Sequence, residues 1–259
     1  MIGDLSGLRA VVTGAGTRGG MGGTIAEVLA RQGARVAVTD TRLDGAREVA
    51  AAIGEAAIAI ELDVANDDST ERAFASIEER FGGVDVLVNN AGVLGDSGID
   101  AWRTTFEVNV LGTVRCTEAV IPGMCERRRG KIVNIASISG HSARGTAGAY
   151  GASKAAVLRY TKGLAVELAP FSVNVNAVCP GAVWTGMQSE PFARPEEVDP
   201  ALAGLPPYEA FLEYYRPLVP LGRPQTAEEV GTAVAYLSSD DARNVTGQCL
   251  HVDGGAIRT

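Results

Sequence analysis

Tyr150 and Lys154, in the run Tyr150-Gly151-Ala152-Ser153-Lys154, set a phenol and an ammonium four residues apart. On a helix that spacing puts both on one face, about one turn from each other. Tyrosine ordinarily keeps its proton up to a pKa of roughly 10, too high for a good acid or base near neutrality. A neighbouring ammonium favours the phenolate, which suits moving a proton on or off an alcohol oxygen. The pair alone fits equally well a tyrosine packed on a lysine stem. The rest of the chain has to decide.

A second constellation lies near the other end. Leu8-Arg9-Ala10-Val11-Val12-Thr13 reads as a short buried strand running into the glycine-rich segment 14–22, after which Ile25, Ala26, Val28 and Leu29 open a helical pattern. Strand, glycine turn and helix N-terminus together make an anion site, because glycines let the backbone approach a pyrophosphate and free N–H groups face it. The next strand, Ala34 to Thr39, ends at Asp40, eighteen residues after Gly22. A carboxylate there can accept from both hydroxyls of an adenosine ribose. An ordinary tight turn, or an S-adenosylmethionine site, would share part of this layout. A nucleotide-triphosphate loop would need Gly-Lys-Ser/Thr, and none follows.

The elements that must position these groups alternate. Strand patterns cover 8–13, 34–39, 57–62, 84–89, 131–136, 172–178 and 248–252, with helical patterns near 22–32, 43–53, 68–81, 101–127, 148–168 and 226–237. Such alternation predicts an α/β fold, a parallel sheet with helices on both faces. Residues 186–224 break it, carrying most of the prolines with Phe192, Tyr208, Phe211, Tyr214 and Tyr215. Long non-repetitive stretches of this kind are lids or binding loops. No internal linker divides the chain, so 1–259 reads as one domain with one sizeable core.

Composition narrows the function classes. Lys plus Arg number 23 against 31 Asp plus Glu, a net charge of −8, and the one basic run, Arg127-Arg128-Arg129, sits at a helix end before Gly130. Nucleic acid is a poor partner for such a chain. No apolar run is long enough to cross a bilayer and no leader opens the chain, which together with reduced cysteines predicts a cytoplasmic protein. Cys116, Cys125, Cys179 and Cys249 show no CxxC spacing and only two histidines accompany them, so no metal site is expected.

With these residues in place the chain resembles the short-chain dehydrogenase/reductase superfamily from about residue 5 to residue 256. Thr13 to Gly22 resembles its TGxxxGxG turn, Asn89-Asn90-Ala91-Gly92 its NNAG signature, and Pro180-Gly181-Ala182-Val183-Trp184-Thr185 its PGxxxT segment. Ser137 precedes Tyr150 by thirteen residues, the family's usual spacing, and Val252-Asp253-Gly254-Gly255 resembles its ending. The resemblance implies a doubly wound Rossmann fold, a seven-stranded parallel sheet in the order 3-2-1-4-5-6-7, and an NAD(P)-dependent oxidoreductase of alcohols or ketones. It implies catalytic roles for Asn109, Ser137, Tyr150 and Lys154, with Asn109 holding a water behind Lys154 and Lys154 lowering the pKa of Tyr150. It assigns Gly14, Gly16, Thr17, Gly20, Met21, Gly22, Asp40, Asp63, Val64, Asn90, Ala91, Gly92, Tyr150, Lys154, Pro180, Gly181, Val183 and Thr185 to the cofactor, and 186–224 to the substrate loop. His141, four residues past Ser137, and Trp184 are candidates to border the substrate.

One departure stands out. The glycine turn is about two residues longer than the family's commonest form, and the insertion falls among Gly16 to Gly19. Gly20 and Gly22 open the helix, whereas the choice between Gly14 and Gly16 as the phosphate neighbour stays open, as does the direction of Arg18. Asp40 favours NAD over NADP by repelling a 2′-phosphate, while Arg18 and Arg42 keep an NADP-dependent 3-oxoacyl reductase in play. A non-catalytic NAD(H) sensor or scaffold is the reading from another class, and the intact catalytic set argues against it. Apolar surplus on the helical pattern 148–168 (Ala155, Ala156, Leu158, Leu164, Ala165, Leu168) and on 101–127 (Trp102, Phe106, Val110, Leu111, Val114, Val120) predicts a homotetramer, or at least a dimer.

Overall fold

In the computed structural model, which describes residues 3–95, 97–141 and 148–257, seven strands form one parallel sheet in the order β3-β2-β1-β4-β5-β6-β7. These are β1 Arg9–Val12, β2 Arg35–Asp40, β3 Ala57–Glu61, β4 Val86–Asn89, β5 Gly130–Ile135, β6 Val173–Pro180 and β7 Cys249–Val252. Each expected strand is present, with ends shifted by a residue or two, and the expected order holds.

Strand alternation builds two cores from the same β residues. Ala10, Val12, Val36, Val38, Val86 and Val88 face α1 (Met21–Arg31), α2 (Leu43–Ile53) and α10 (Ala227–Ser238), against Ile25, Leu29, Val49 and Val234. Val11, Leu87, Ile132 and Val175 face the other way, against Phe74 and Ile77 of α3 (Asp67–Phe81), Met124 of α5 (Gly112–Arg127) and Leu164 and Leu168 of α6 (Ala149–Leu168). A sheet covered on both faces needs near-continuous apolar strands, which is what the sequence supplies. Each fully buried leucine or isoleucine in these layers contributes about 2 kcal/mol. Strand order reverses between β1 and β4, opening a crevice at their carboxyl ends.

The pattern at 101–127 is not one uniform helix. It opens as α4 (Ile99–Phe106), passes through a π-helical turn at Glu107–Leu111 and continues as α5. A one-residue π insertion leaves hydrophobic spacing on either side intact, so periodicity does not register it.

Residues 186–224 fold into a small aromatic core. Short helices α7 (Gly186–Ser189), α8 (Pro195–Val198) and α9 (Pro207–Tyr215) alternate with 3-10 turns that begin at prolines. Phe192 and Phe211 are fully buried, their centroids 5.5 Å apart, with Tyr214 and Tyr215 packed around them. No helix among the described residues is long and apolar enough to cross a membrane.

The expected apolar surplus on α6 is smaller than its composition suggests. Leu158 packs on Ala136 and Ala177, and Leu164, Ala165 and Leu168 enter the main core, leaving Ala155 and Val166 outward. Leu158 therefore belongs to the chain's own sheet contact.

Candidate active site

The glycine turn is held to the sheet by a latch. Thr13 Oγ1 accepts from the N–H groups of Asn90 and Ala91, both at 3.0 Å, and Asn90 Nδ2 donates to the Thr13 and Gly14 carbonyls at 2.9 Å. Gly14 has φ +63°, and a Cβ there would stand 2.7 Å from Ala91 Cα. A Cβ on Gly22 would stand 2.4 Å from both the Gly14 oxygen and Asn90 Nδ2. Side chains are excluded from this turn by contact, and the space stays with the cleft above. Gly20 is the N-cap of α1 and offers no side chain to that helix's first N–H groups, which leaves them for an anion.

The longer turn finds its explanation here. Gly16 does not line the cleft; its N–H donates to Asp40 Oδ2 at 2.8 Å, and a Cβ would strike Asp40 Cγ at 2.6 Å. Gly14 is the member of the pair that faces the cleft. Arg42 N donates to Asp40 Oδ1 at 3.0 Å, and the Arg42 guanidinium folds over the turn, donating to the Gly16 carbonyl at 3.0 Å and Thr17 Oγ1 at 2.6 Å. Arg18 points away, into a depression with Glu27, Arg31 and Ile53.

The cleft encloses about 420 Å³. Of the expected cofactor residues, Gly14, Thr17, Gly20, Met21, Gly22, Asp40, Asp63, Val64, Asn90, Ala91, Gly92 and Thr185 line it, joined by Thr41, Arg42, Leu62, Val93, Val108 and Met187. Beside it lies a pocket of about 110 Å³ bounded by Ser137, Tyr150, Lys154, Pro180, Gly181, Val183, Met187 and Gln188. Met21, Asn90, Gly92, Thr185 and Met187 wall both spaces, so they form one continuous groove. Met187 and Gln188 carried no signal in the sequence beyond their place just after the PGxxxT segment.

Ser137, Tyr150 and Lys154 converge at that pocket. Ser137 follows β5, and its hydroxyl is hydrogen-bonded to the Tyr150 oxygen and accepts from Ser139 N at 3.1 Å. Lys154, only 5% exposed, donates from Nζ to the Ile135 carbonyl at 2.8 Å and sits 5.6 Å from the Tyr150 ring centroid. Gly92 lies over it, and a Cβ there would stand 3.5 Å from Nζ, an ordinary contact, and a tighter 3.2 Å from Asn109 Oδ1. Burial pulls the Lys154 ammonium down from 10.5 to about 8. Burial also pushes the Tyr150 phenol up, opposed by the Ser137 hydrogen bond. The positive charges of Lys154 and of an oxidised nicotinamide would act against that rise.

Asn109 braces the site from behind. It lies in the π turn, where Oδ1 accepts from Val93 N at 2.8 Å while Nδ2 donates to the Val93 carbonyl and Ser153 Oγ, both at 3.0 Å. Ser153 in turn donates to the Tyr150 carbonyl at 2.7 Å. Both donors of the amide are committed, so its side chain ties the Gly92–Val93 loop to α6. The two candidate substrate residues stand outside the pocket. Trp184 packs edge-on against Tyr208 and Phe211, at 5.4 and 5.1 Å, in the aromatic core, and His141 packs edge-on against His251 at 4.7 Å.

Comparison with known proteins agrees with this geometry. Residues 14–256 match the family model described as enoyl-(acyl carrier protein) reductase, and the chain belongs to the short-chain dehydrogenase/reductase superfamily, whose members are NAD(P)-dependent oxidoreductases acting on CH–OH groups. It is 36% identical over 257 residues to the 3-oxoacyl-[acyl-carrier-protein] reductase FabG of Vibrio cholerae, covering 97% of this chain and 98% of the relative. Among solved structures, 3-ketoacyl-(acyl-carrier-protein) reductase from Brucella melitensis with NADH superposes with a TM-score of 0.85 at 32% identity, covering 97% and 99% of the two chains. A gluconate 5-dehydrogenase from Burkholderia cenocepacia with NADP and tartrate gives 0.86 at 33% identity, covering 98% and 96%.

Proposed function

We propose that this protein transfers hydride between NAD(H) and a secondary alcohol or ketone, with Tyr150 as the group that moves the hydroxyl proton. The observation that carries the reading is the Ser137–Tyr150–Lys154 cluster at the wall of a pocket continuous with a glycine-floored cleft. The nicotinamide, when bound, supplies or accepts the hydride. Gly14, Gly20, Gly22 and the first N–H groups of α1 hold the pyrophosphate. Asp40 receives the adenosine ribose, Asp63 and Val64 border the adenine, and Pro180, Gly181, Val183 and Thr185 border the nicotinamide end.

Tyr150 gives its proton to the carbonyl oxygen in reduction and takes the hydroxyl proton in oxidation. Ser137 hydrogen-bonds the same oxygen and stabilises charge developing there. Lys154 holds the nicotinamide ribose and presents positive charge behind the phenol. Asn109 acts as a positioning residue through Ser153.

Asp40 supports a preference for NAD(H), because its carboxylate lines the cleft at the end of β2 and would repel a 2′-phosphate. A second reading, an NADP-dependent 3-oxoacyl reductase, draws support from the Vibrio cholerae relative and from the Arg42 guanidinium, 3.8 Å from Asp40 and able to meet a phosphate. Parallel measurement of kcat/KM with NAD(H) and NADP(H) over a panel of alcohols, ketones and 3-oxoacyl thioesters separates the two. An NAD(H) advantage of at least about tenfold, roughly 1.4 kcal/mol, supports the first, and equal or better turnover with NADP(H) refutes it.

Assembly as a homotetramer, or at minimum a dimer, completes the reading. Val166 on α6 is 75% exposed, and Leu111 and Trp102 on the neighbouring helices are 45% and 39% exposed. β7 is an edge strand whose Leu250 faces outward.

A further inference from the structure

Both histidines of the chain and two of its four cysteines meet at one place outside the catalytic pocket. The ligand-capable atoms of His141, Cys179 and His251 all lie within 4.8 Å of one another. They come from three elements. His141 caps the 3-10 turn Ile138–Gly140 that Ser137 begins, Cys179 lies near the end of β6, and His251 is its register partner on β7. Cys249, two residues before His251 and so on the same face of β7, lies beside Cys179 and His141 at the margin of that group.

Two further observations point to a ligand. Cys179 is fully buried, yet its sulfur faces this polar cluster. His251 Nε2 is buried with no hydrogen-bond partner among the described residues. An unpaired buried nitrogen is costly, and a metal ion would satisfy its lone pair.

We propose that His141, Cys179, Cys249 and His251 form a structural binding site for a zinc ion. Two sulfurs and two imidazoles are the donor set of closed, tetrahedral zinc sites and are ill suited to magnesium or calcium. With Zn–S near 2.3 Å and Zn–N near 2.0–2.1 Å, a tetrahedron needs ligand atoms about 3.5 Å apart. The atoms now lie within 4.8 Å of one another, so binding would require them to close by about 1 Å, with the exposed His141 the member freest to turn. Binding converts both thiols to thiolates and releases their two protons to solvent, with no change of oxidation state.

The site is structural because no wall of the catalytic pocket includes any of the four residues. Its consequence still reaches that pocket. The Ala136 N–H donates to the Val178 carbonyl at 2.8 Å, and His141 closes the turn that Ser137 starts, so the ion would pin this turn to the outer strands β6 and β7.

Chelator-stripped, reduced protein titrated with cobalt(II) tests the proposal. The expected result is a single ion per chain, with the visible bands of four-coordinate cobalt and a thiolate-to-cobalt charge-transfer band, both removed by zinc. Zinc should also raise Tm, since it binds the folded chain. His141→Gln changes an exposed residue and leaves the core intact; it should weaken cobalt binding by at least roughly tenfold and abolish the zinc-dependent rise in Tm. Cys249→Ser should do the same and reduce the charge-transfer band. Absence of the cobalt spectrum, or titrations of both variants that match the wild type, would overturn the site.

Discussion

Replacing Lys154 by methionine should stabilise the fold while destroying activity, and the size of the effect follows from one buried charge. Lys154 is held at a pKa of about 8 against 10.5 in an exposed chain. That depression is a penalty of about 3 kcal/mol for carrying the ammonium inside the protein. Methionine fills nearly the same volume without charge, but it abandons the 2.8 Å hydrogen bond to the Ile135 carbonyl. Losing that bond costs about 1–2 kcal/mol. A net gain of about 1–2 kcal/mol near neutral pH remains, or a rise in Tm of about 3–6 °C for a chain of this size. The pH dependence is the sharper test. Below about pH 8 both the folded and the unfolded lysine are protonated, and the penalty is constant. Between the folded value of about 8 and the unfolded value of 10.5 the unfolded chain binds more protons, so wild-type stability from this group rises with pH. The methionine variant has no such group, so its advantage should vanish and then reverse across that interval, leaving the wild type ahead by about 1–2 kcal/mol near pH 10.5. Thermal unfolding followed by circular dichroism, at fixed protein concentration and over that pH range, gives both numbers. A variant less stable than wild type near neutrality, with a difference that ignores pH, would refute the argument. Its kcat should fall by at least about a hundredfold, because Lys154 belongs to the catalytic cluster.

Other perturbations follow from the same geometry. Tyr150→Phe removes the transferable proton alone, so kcat should drop by about two to four orders of magnitude with cofactor affinity nearly unchanged, as fluorescence titration would report; retention of most activity would move the acid–base role elsewhere. Asp40→Ala should narrow the gap between NAD(H) and NADP(H), and it should loosen the turn by freeing the Gly16 and Arg42 N–H groups, so an unchanged ratio of kcat/KM values would refute the role given to this carboxylate. Gly22→Ala places a Cβ against the Gly14 oxygen and Asn90 Nδ2, and should cost about 1–3 kcal/mol in chemical denaturation together with cofactor binding. Val166→Glu should shift the mass found by light scattering downward from an oligomer, whereas a wild-type protein already at 26.8 kDa would refute the assembly.

How much was legible from the sequence depended on whether a signal was local. Strands such as Val86-Leu87-Val88 announce themselves because a parallel sheet covered on both faces demands continuous apolar runs. Asp40 and Ser137 fall just past strand ends, so their placement at the crevice followed from the strand boundaries. The roles of other residues depended on contacts between distant segments. Asn109 carries the expected side chain at the expected position, yet the π turn directs its amide to Val93 and Ser153. Leu158 reads as surplus apolar surface until the sheet beneath it is drawn. The four residues of the His–Cys cluster are scattered from 141 to 251, and no spacing rule joins them.

The aromatic segment shows the same division and narrows the question of substrate. Phe192, Tyr208, Phe211, Tyr214 and Tyr215 read equally well as a substrate wall or as anchors; together with Trp184 they pack on one another. The segment therefore has a core of its own, and what it presents to the pocket is its leading edge, Met187 and Gln188. Tyr215 donates to Gln188 Oε1 at 3.3 Å, so the amide is oriented from the aromatic side. A thioether and an oriented amide make a wall with one apolar and one hydrogen-bonding patch, and among the described residues no cation lines it beyond Lys154. Such a wall would read a substrate by shape and a single polar contact. Gln188→Ala should therefore change KM among hydroxylated substrates while leaving the kcat for a plain secondary alcohol within about threefold. An equal loss of kcat on every substrate in the panel would instead place Gln188 with the proton-transfer residues.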